Sequence, residues 1–279
     1  MEINVLQMIE EIREKELQPY KDVDVIAKLA IIQVGDNPAS NLYIKSKKAE
    51  MAKWKIEVEH YKFDGTNVTD IYMQIMKLNR DENVNGIILQ LPLPHHLEIQ
   101  KQRLINFIDP YKNVDGFDQY REPDHTKLKD IYFPCTPNGI LEIIKRTTDI
   151  RGKVVCIIGR GETVGKPLID MMKRMKCTLI SCNSNTDSVQ LSEVLEISDI
   201  VITAVGKPGL VKDYNLKRNC VVIDAGISYV DGKQTGDFKN TGVRTDIKYT
   251  PRLNGVGKMT VAMLAQNTII AAELQKGMR

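Results

Sequence analysis

The chain has 279 residues, of which 42% are hydrophobic and 27% charged, with a formal net charge of +3. This composition is typical of a globular protein and excludes disordered, fibrous and disulfide-stapled classes. Its apolar runs are far shorter than the ~20 residues of a membrane-spanning helix, and the first residues lack signal-peptide features. We therefore expect a cytoplasmic protein that binds no membrane and, with charges so balanced, no nucleic acid.

Hydrophobic periodicity predicts alternating helices and strands through the first part of the chain. We expect helices over 4–17, 39–54, 68–78 and 98–107, and strands over 26–34, 55–61 and 86–90. This alternation favours a parallel sheet that is covered on both faces.

A polar stretch over 118–130 carries seven charges in thirteen residues and separates this part from a second strand-helix series. We place a domain boundary there, followed by a helix that starts near 134–137. The second series predicts strands over 153–158, 178–182, 199–204 and 220–225, helices over 165–175 and 188–197, and a closing helix over 259–274.

The cysteines and histidines do not indicate a metal site. The five cysteines form no C-x-x-C pair, so we interpret them as reduced thiols that lie mostly in the core. The histidines, His60, His95, His96 and His125, have no spacing typical of metal ligands. We expect no bound metal.

A glycine-rich turn follows the strand over 153–158 and precedes a helix. Gly159, Gly161 and Gly165 give the spacing G-x-G-x-x-x-G, with Val164 just before the last glycine. Glycines at such a turn let the backbone approach a pyrophosphate, and the helix N-terminus attracts its charge. The alternative is a tight structural turn, but the repeated strand-helix units favour a dinucleotide site.

The end of the next strand favours NADP over NAD as the cofactor. Residues 182–186 contain no acid, whereas a free ribose 2′-hydroxyl is usually bound by one. The Ser184 hydroxyl and the Arg160 guanidinium are suited to a 2′-phosphate. The alternative for Arg160 is a solvated loop charge.

Four residues of the first part have side chains suited to catalysis or binding, but their spacing alone does not show that they form one site. Tyr43 and Lys47 lie four residues apart on one face of a predicted helix. Gln90 ends a predicted parallel strand, where open α/β sheets bind ligands, and Asp115 lies in a glycine turn. The alternative for Tyr43 and Lys47 is a ring packed against a lysine stem.

Seven motifs in a fixed order resemble the bifunctional methylenetetrahydrofolate dehydrogenase/cyclohydrolase family, called FolD in bacteria. They are VGDNPAS (34–40), YIKSK (43–47), QLPLP (90–94), VDGF (114–117), PCTP (134–137), the glycine turn (159–167), and GVG with MT (255–260). The resemblance covers nearly the whole chain.

The resemblance implies a two-domain α/β protein with a folate cleft between the domains. A parallel-sheet catalytic domain would comprise 1–133 with 256–279, and a Rossmann-type NADP-binding domain 134–255. It also implies a homodimer acting on tetrahydrofolate one-carbon derivatives, in one-carbon metabolism and purine biosynthesis. The reaction would be oxidation of 5,10-methylenetetrahydrofolate to the methenyl form, followed by hydrolysis to 10-formyltetrahydrofolate.

The same resemblance assigns residue roles. Lys47 would be the catalytic lysine, Tyr43 would stack on the aminobenzoyl ring, Gln90 would bond the lysine, and Asp115 would grip the pterin. The implied cofactor residues are Gly159, Arg160, Gly161, Val164, Gly165, Ser184 and Ile227. The implied substrate loop contains Gly255, Gly257 and Thr260.

The chain departs from the family pattern at several positions. The usual loop Pro-Gly-Gly-Val-Gly-Pro-Met-Thr reads LNGVGKMT over 253–260, and Arg252 and Lys258 add two positive charges. Gly161 and Asn183 replace a usual Ser and His, which removes two polar contacts near the adenosine phosphate. We expect a lowered dehydrogenase rate, because a flexible, cationic loop would disturb hydride transfer.

Two alternatives to the bifunctional enzyme remain at this stage. One is a related two-domain NADP oxidoreductase of the shikimate dehydrogenase type. The other is a folate-binding homologue whose dehydrogenase activity is impaired by the altered loop.

Overall fold

The computed structural model describes residues 1–117 and 132–277. The polar stretch predicted as a domain boundary and His125 lie outside the described residues. The chain divides into two compact units. The three-stranded unit comprises 13–135 and 261–279, and the five-stranded unit comprises 1–12 and 136–260.

The described residues alternate helices with strands, as the periodicity predicts. The helices are α1 (Val5–Leu17), α2 (Pro38–Lys53), α3 (Val68–Arg80), α4 (Lys101–Phe107), α5 (Cys135–Thr147), α6 (Gly165–Met172), α7 (Ser188–Ile197) and α8 (Val256–Gly277). The strands are β1 (Ala27–Val34), β2 (Ile56–Phe63), β3 (Gly86–Gln90), β4 (Val154–Ile158), β5 (Thr178–Cys182), β6 (Ile200–Thr203), β7 (Val211–Lys212), β8 (Val221–Asp224), β9 (Ser228–Val230), β10 (Lys233–Thr235), β11 (Phe238–Lys239) and β12 (Lys248–Tyr249).

The three-stranded unit contains a parallel sheet in the order β2-β1-β3. Its central strand β1 is rich in isoleucine and almost wholly buried, as expected for a strand with both faces covered. Asn37 caps α2, because its side-chain oxygen accepts the main-chain N–H groups of Ala39 and Ser40 at 2.9 and 3.1 Å. The cap and Pro38 fix where α2 begins after β1.

The five-stranded unit contains a parallel sheet in the order β12-β8-β6-β4-β5. Small pairs flank it, β7 with β11 in parallel and β9 with β10 in an antiparallel hairpin. Apolar side chains of β4, β6 and β8 share a buried cluster with Leu195 of α7. Two parallel sheets in strand-helix order confirm the predicted α/β class.

Residues 1–12 belong to the five-stranded unit, whereas the resemblance implies that they lie in the first domain. Their backbone extends the sheet beyond β12, since the Ile3 N–H donates to the Tyr249 carbonyl at 2.8 Å. The Tyr249 N–H in turn donates to the Met1 carbonyl at 3.1 Å. No sequence pattern predicts this pairing, because it is made by backbone atoms of segments that are only a few residues long.

Two predicted helices have different bounds in the structure. The helix predicted over 98–107 is divided into a 3₁₀-helix over His95–Gln100 and α4. The closing helix α8 begins at Val256, three residues before its predicted start, so Gly257 and Lys258 belong to its first turn. Among the described helices, none is long and apolar enough to cross a membrane.

Two buried carboxylates hold the loops that follow β6 and β8. Asp237 is fully buried and accepts the Thr203 hydroxyl and the N–H groups of Val205 and Lys207, the latter two at 2.8 and 2.7 Å. Asp224 accepts the N–H of Gly226 at 3.0 Å. A side chain at Gly226 would meet the Asp237 carboxylate at 2.1 Å, so only glycine fits this contact.

We predict that Asp237→Asn lowers the free energy of unfolding by about 1–3 kcal/mol, because an amide NH₂ would then face N–H donors in a buried site. Urea denaturation monitored by circular dichroism measures the change. Asp231→Asn is the matched control, since Asp231 is exposed in the turn between β9 and β10. Equal stability of the two variants would contradict the assigned role of Asp237.

Candidate active site

Lys47 is a buried lysine on the inner face of α2. Its side chain is only 6% exposed, and its Nζ donates to the Gln90 Oε1 at 3.0 Å. The same Nζ lies 4.8 Å from the centroid of the Tyr43 ring, one helical turn earlier. The structure therefore brings Tyr43, Lys47 and Gln90 together.

Gln90 is held by its own strand end. It is the last residue of β3, a strand in which every residue is buried. Its Nε2 donates to the Leu91 carbonyl at 2.6 Å, which leaves the amide oxygen directed at Lys47. This second bond fixes the amide orientation, so the lysine meets an acceptor rather than a donor.

Asp115 lies in a tight turn beside the same lysine. Gly116 has φ +79°, and a side chain there would lie 2.7 Å from the Pro134 backbone nitrogen. The turn therefore needs glycine and packs directly on the segment that leads to Cys135. The Cys135 thiol lies beside the Asp115 carboxylate.

The electrostatics of this cluster favour an uncharged lysine. Burial lowers the pKa of Lys47, and the charges of Asp115 and Cys135 oppose that shift. Burial also raises the pKa of Asp115, with the Lys47 charge acting in the opposite direction. The pKa of Tyr43 is raised by burial and by the neighbouring Asp115 charge. The amine can therefore release and accept a proton closer to neutrality than a free lysine.

Two members of this cluster were not predicted as site residues. Cys135 was interpreted as one of several core thiols, although it lies in the PCTP motif; burial and Asp115 raise its pKa. Asn267 lies on α8, and its Nδ2 is 3.5 Å from the Cys135 Sγ. No local pattern marks this asparagine, because its partners lie more than 130 residues away in the chain.

In the glycine turn after β4, two glycines pack closely against neighbouring backbone atoms. Gly159 has φ +112°, and a side chain on it would lie 2.6 Å from the Ala204 carbonyl oxygen. A side chain on Gly165 would lie 2.1 Å from the Gly159 oxygen. Gly161, by contrast, has open space around it. Val164 provides no side-chain cap for α6. The Lys166 N–H already donates to the Gly161 carbonyl at 3.0 Å and Pro167 has no N–H, so the Gly165 N–H is the one that the first three positions offer to an anion.

The remaining predicted cofactor residues lie at the same edge of the five-stranded sheet. Arg160 donates from Nε to the Ser181 Oγ at 2.9 Å and from Nη2 to the Ser181 carbonyl at 3.0 Å. Ser184 is exposed just beyond β5, and Ile227 is 55% exposed beyond β8. Because parallel strands end at one edge, these residues flank the glycine turn.

Arg252 does not carry an isolated charge. Its guanidinium donates to the Gly226 carbonyl and lies 3.8 Å from an Asp224 carboxylate oxygen. Burial raises the pKa of Asp224, and the Arg252 charge opposes that shift. Of the two loop cations that were expected to repel the product, Arg252 is therefore paired with a carboxylate.

The predicted substrate-loop residues lie around the start of α8. A side chain on Gly255 would lie 2.1 Å from the Pro251 carbonyl oxygen, whereas Gly257 has open space around it. Thr260 donates to the Val256 carbonyl at 3.0 Å and bonds the Thr136 hydroxyl at 3.1 Å. Gly257 and Thr260 therefore lie within the first two turns of α8, and Gly255 directly precedes it.

Comparison with known proteins identifies both parts of the chain. The model of the tetrahydrofolate dehydrogenase/cyclohydrolase catalytic domain matches residues 4–115, and that of the NAD(P)-binding domain matches residues 134–276. The bifunctional protein FolD of Acetivibrio thermocellus is 38% identical over 268 residues, which cover 95% of this chain and 93% of that protein.

Solved structures agree with these matches. A bifunctional 5,10-methylenetetrahydrofolate dehydrogenase/cyclohydrolase from Thermoplasma acidophilum has a TM-score of 0.88 at 28% identity, covering 99% of this chain and 100% of that one. The Trypanosoma brucei FolD structure, complexed with NADP and an inhibitor, has a TM-score of 0.83 at 26% identity, covering 99% and 96%. The chain belongs to the tetrahydrofolate dehydrogenase/cyclohydrolase family.

Proposed function

We propose that this chain oxidises 5,10-methylenetetrahydrofolate to 5,10-methenyltetrahydrofolate with NADP and hydrolyses the product to 10-formyltetrahydrofolate. The observation that carries the proposal is the buried Lys47 amine, held by Gln90 and packed over Tyr43. Family membership supports the same pair of reactions. It gives no support to the alternative of a shikimate dehydrogenase type.

The two reactions make different demands on the protein. Oxidation moves a hydride from the one-carbon bridge of the folate and leaves a delocalised cation, so alignment matters most. Hydrolysis adds water to that cation and opens the ring, so a proton must be removed and delivered. A neutral Lys47 serves both steps, because it does not repel the cation and it can accept a proton.

The neighbours of Lys47 are suited to distinct tasks. Gln90 fixes the direction of the amine through its amide oxygen. The Tyr43 ring gives a flat face for stacking against the aminobenzoyl group of folate. The Asp115 carboxylate is an acceptor for the N–H donors of a pterin.

NADP fits the glycine turn at the end of β4. The open space at Gly161 and the uncapped start of α6 suit a pyrophosphate. Arg160 and Ser184 would hold the 2′-phosphate, and the bound nicotinamide supplies the hydride acceptor. NAD is the less suited cofactor, because no acid follows β5 within residues 182–186.

We also propose that the protein is a cytoplasmic homodimer that supplies one-carbon units for purine biosynthesis. The support is its membership of a family for which these properties are expected. Among the described residues, strand β2 forms one edge of the three-stranded sheet, and a sheet edge is a place where a strand of a second copy can pair. Sedimentation equilibrium of the full chain tests the dimer.

The proposed function is tested by two separate assays. Methylenetetrahydrofolate supplied with NADP should yield the methenyl compound, and less of it with NAD. Methenyltetrahydrofolate supplied without cofactor should be hydrolysed faster than in buffer. Binding of folate without either conversion would contradict the proposal and favour the non-catalytic homologue.

We predict that Lys47→Met lowers the cyclohydrolase rate about 10³-fold, because a thioether cannot transfer protons. Folate binding, measured by calorimetry, should remain largely intact. Lys45→Met is the matched control, since Lys45 lies on the same helix but is exposed. Unchanged hydrolysis in Lys47→Met would remove this amine from the mechanism.

The lowered pKa of Lys47 predicts a pH profile. The enzyme-dependent hydrolysis should rise with pH as the amine loses its proton, with a midpoint below the ordinary pKa of lysine. The facing titratable groups are Tyr43, Asp115 and Cys135. Asp115→Asn removes a charge that raises the Lys47 pKa, so its midpoint should lie at lower pH. A midpoint moved to higher pH would contradict this electrostatic assignment.

We predict that Arg252→Val weakens NADP binding about tenfold. The Gly226 carbonyl and the Asp224 carboxylate both lose a partner, and Gly226 directly precedes Ile227, one of the expected cofactor residues. Fluorescence titration with NADPH measures the affinity. A faster dehydrogenase with unchanged NADP affinity would instead show that Arg252 acts only by repelling the cationic product.

A further inference from the structure

Two separate chain segments form the wall beside Lys47. One is the turn over 113–117, which carries Asp115, and the other is the segment over 132–135, which ends at Cys135. Their backbones are in direct contact, because the Cys135 N–H points at the Asp115 carbonyl at 3.4 Å. A small shift of either segment would therefore move the carboxylate relative to the amine.

A single amide on α8 bonds both segments. The Asn267 Nδ2 donates to the Val114 carbonyl at 2.8 Å and to the Phe133 carbonyl at 3.1 Å. The Cys135 Sγ donates to the same Val114 carbonyl at 3.4 Å. Asn267 is only 2% exposed, so no solvent molecule replaces these bonds when the side chain is changed.

The chemistry of an amide suits this arrangement. Its NH₂ group has two hydrogens, which match two carbonyl oxygens from different segments. Val114 directly precedes Asp115, so the first bond holds the turn next to the carboxylate. Gly116 packs on the backbone of 133–134, so the second bond holds the surface against which the turn rests.

We propose that Asn267 is a positioning residue, which holds Asp115 at its working distance from Lys47 by clamping the turn over 113–117 to the segment over 132–135. The proposal rests on the proposed folate reactions, in which Asp115 binds the pterin. Asn267 itself touches neither the amine nor the carboxylate in this arrangement. Its effect reaches the reaction only through the placement of Asp115.

Loss of the clamp has two expected consequences. The pterin loses a fixed acceptor, so folate binds more weakly. The Asp115 charge opposes the effect of burial on Lys47, so a receding carboxylate lowers the pKa of that lysine further. The second consequence separates positioning from a general loss of stability, which would leave the Lys47 titration unchanged.

Asn267→Leu and Asn267→Asp test the clamp. Leucine removes both donors at similar volume, whereas a protonated aspartic acid retains one O–H donor. Gln266→Leu is the matched control, since Gln266 is the preceding residue of α8 and donates to Glu16 at 2.9 Å. All three variants and the wild type are compared as full chains.

For Asn267→Leu we expect the KM for methenyltetrahydrofolate to rise about tenfold, as for a buried hydrogen bond left unmade. The midpoint of the pH profile of hydrolysis should move to lower pH, which is the shift also expected for Asp115→Asn. Asn267→Asp should be intermediate, and Gln266→Leu should match the wild type in both readouts. NADPH affinity should stay unchanged in every variant.

The positioning role of Asn267 is contradicted if Asn267→Leu keeps the wild-type KM and the wild-type midpoint of the pH profile. It is also contradicted if Gln266→Leu shifts both values equally. If Asn267→Leu does not fold, Asn267→Asp decides, and wild-type values in that variant overturn the proposal. Failure of the proposed function is distinguishable, because the wild type would then lack the conversions. Calorimetric binding of tetrahydrofolate would still compare Asn267→Asp with the wild type.

Discussion

The rest of the candidate site depends on burying the Lys47 amine while still giving it a hydrogen-bond partner. Burial alone would make the charged form of Lys47 very costly, and an unpaired amine would lose its hydrogen bonds to water. The Gln90 oxygen supplies an acceptor without supplying a charge, so it orients the amine in either protonation state. A carboxylate at that position would favour the ammonium form, whose charge repels a cationic reaction product.

The cluster also contains an acid, Asp115, and burial disfavours the charged form of both the acid and the lysine. Asp115 shares its environment with Lys47, and burial shifts the two pKa values toward each other. The ion pair and the neutral pair therefore differ less in free energy than the same two groups would in water. Lys47 therefore releases its proton more readily than a free lysine, whereas Asp115 retains a proton more strongly than a free aspartic acid.

The five-stranded unit uses buried carboxylates for a different purpose. Asp237 and Asp224 accept backbone N–H groups of loops that follow β6 and β8, so the acids fix main chain instead of exchanging protons. Glycines at 226 and 236 admit this close packing. Both units thus place their functional groups at or near the carboxyl ends of parallel strands, which is where such sheets leave room for ligands.

The sequence by itself determined the α/β class, nearly all the longer strands and helices, and the glycine turn, because these follow from local periodicity and backbone freedom. It also determined the family, through short motifs of consecutive residues that follow one another in a fixed order from residue 34 to 260. Only the tertiary structure decided that Arg252 pairs with Asp224, that residues 1–3 extend the second sheet, and that Asn267 bonds the wall beside Lys47. These contacts join residues far apart in sequence through single side chains or backbone groups, and such contacts leave no periodic pattern.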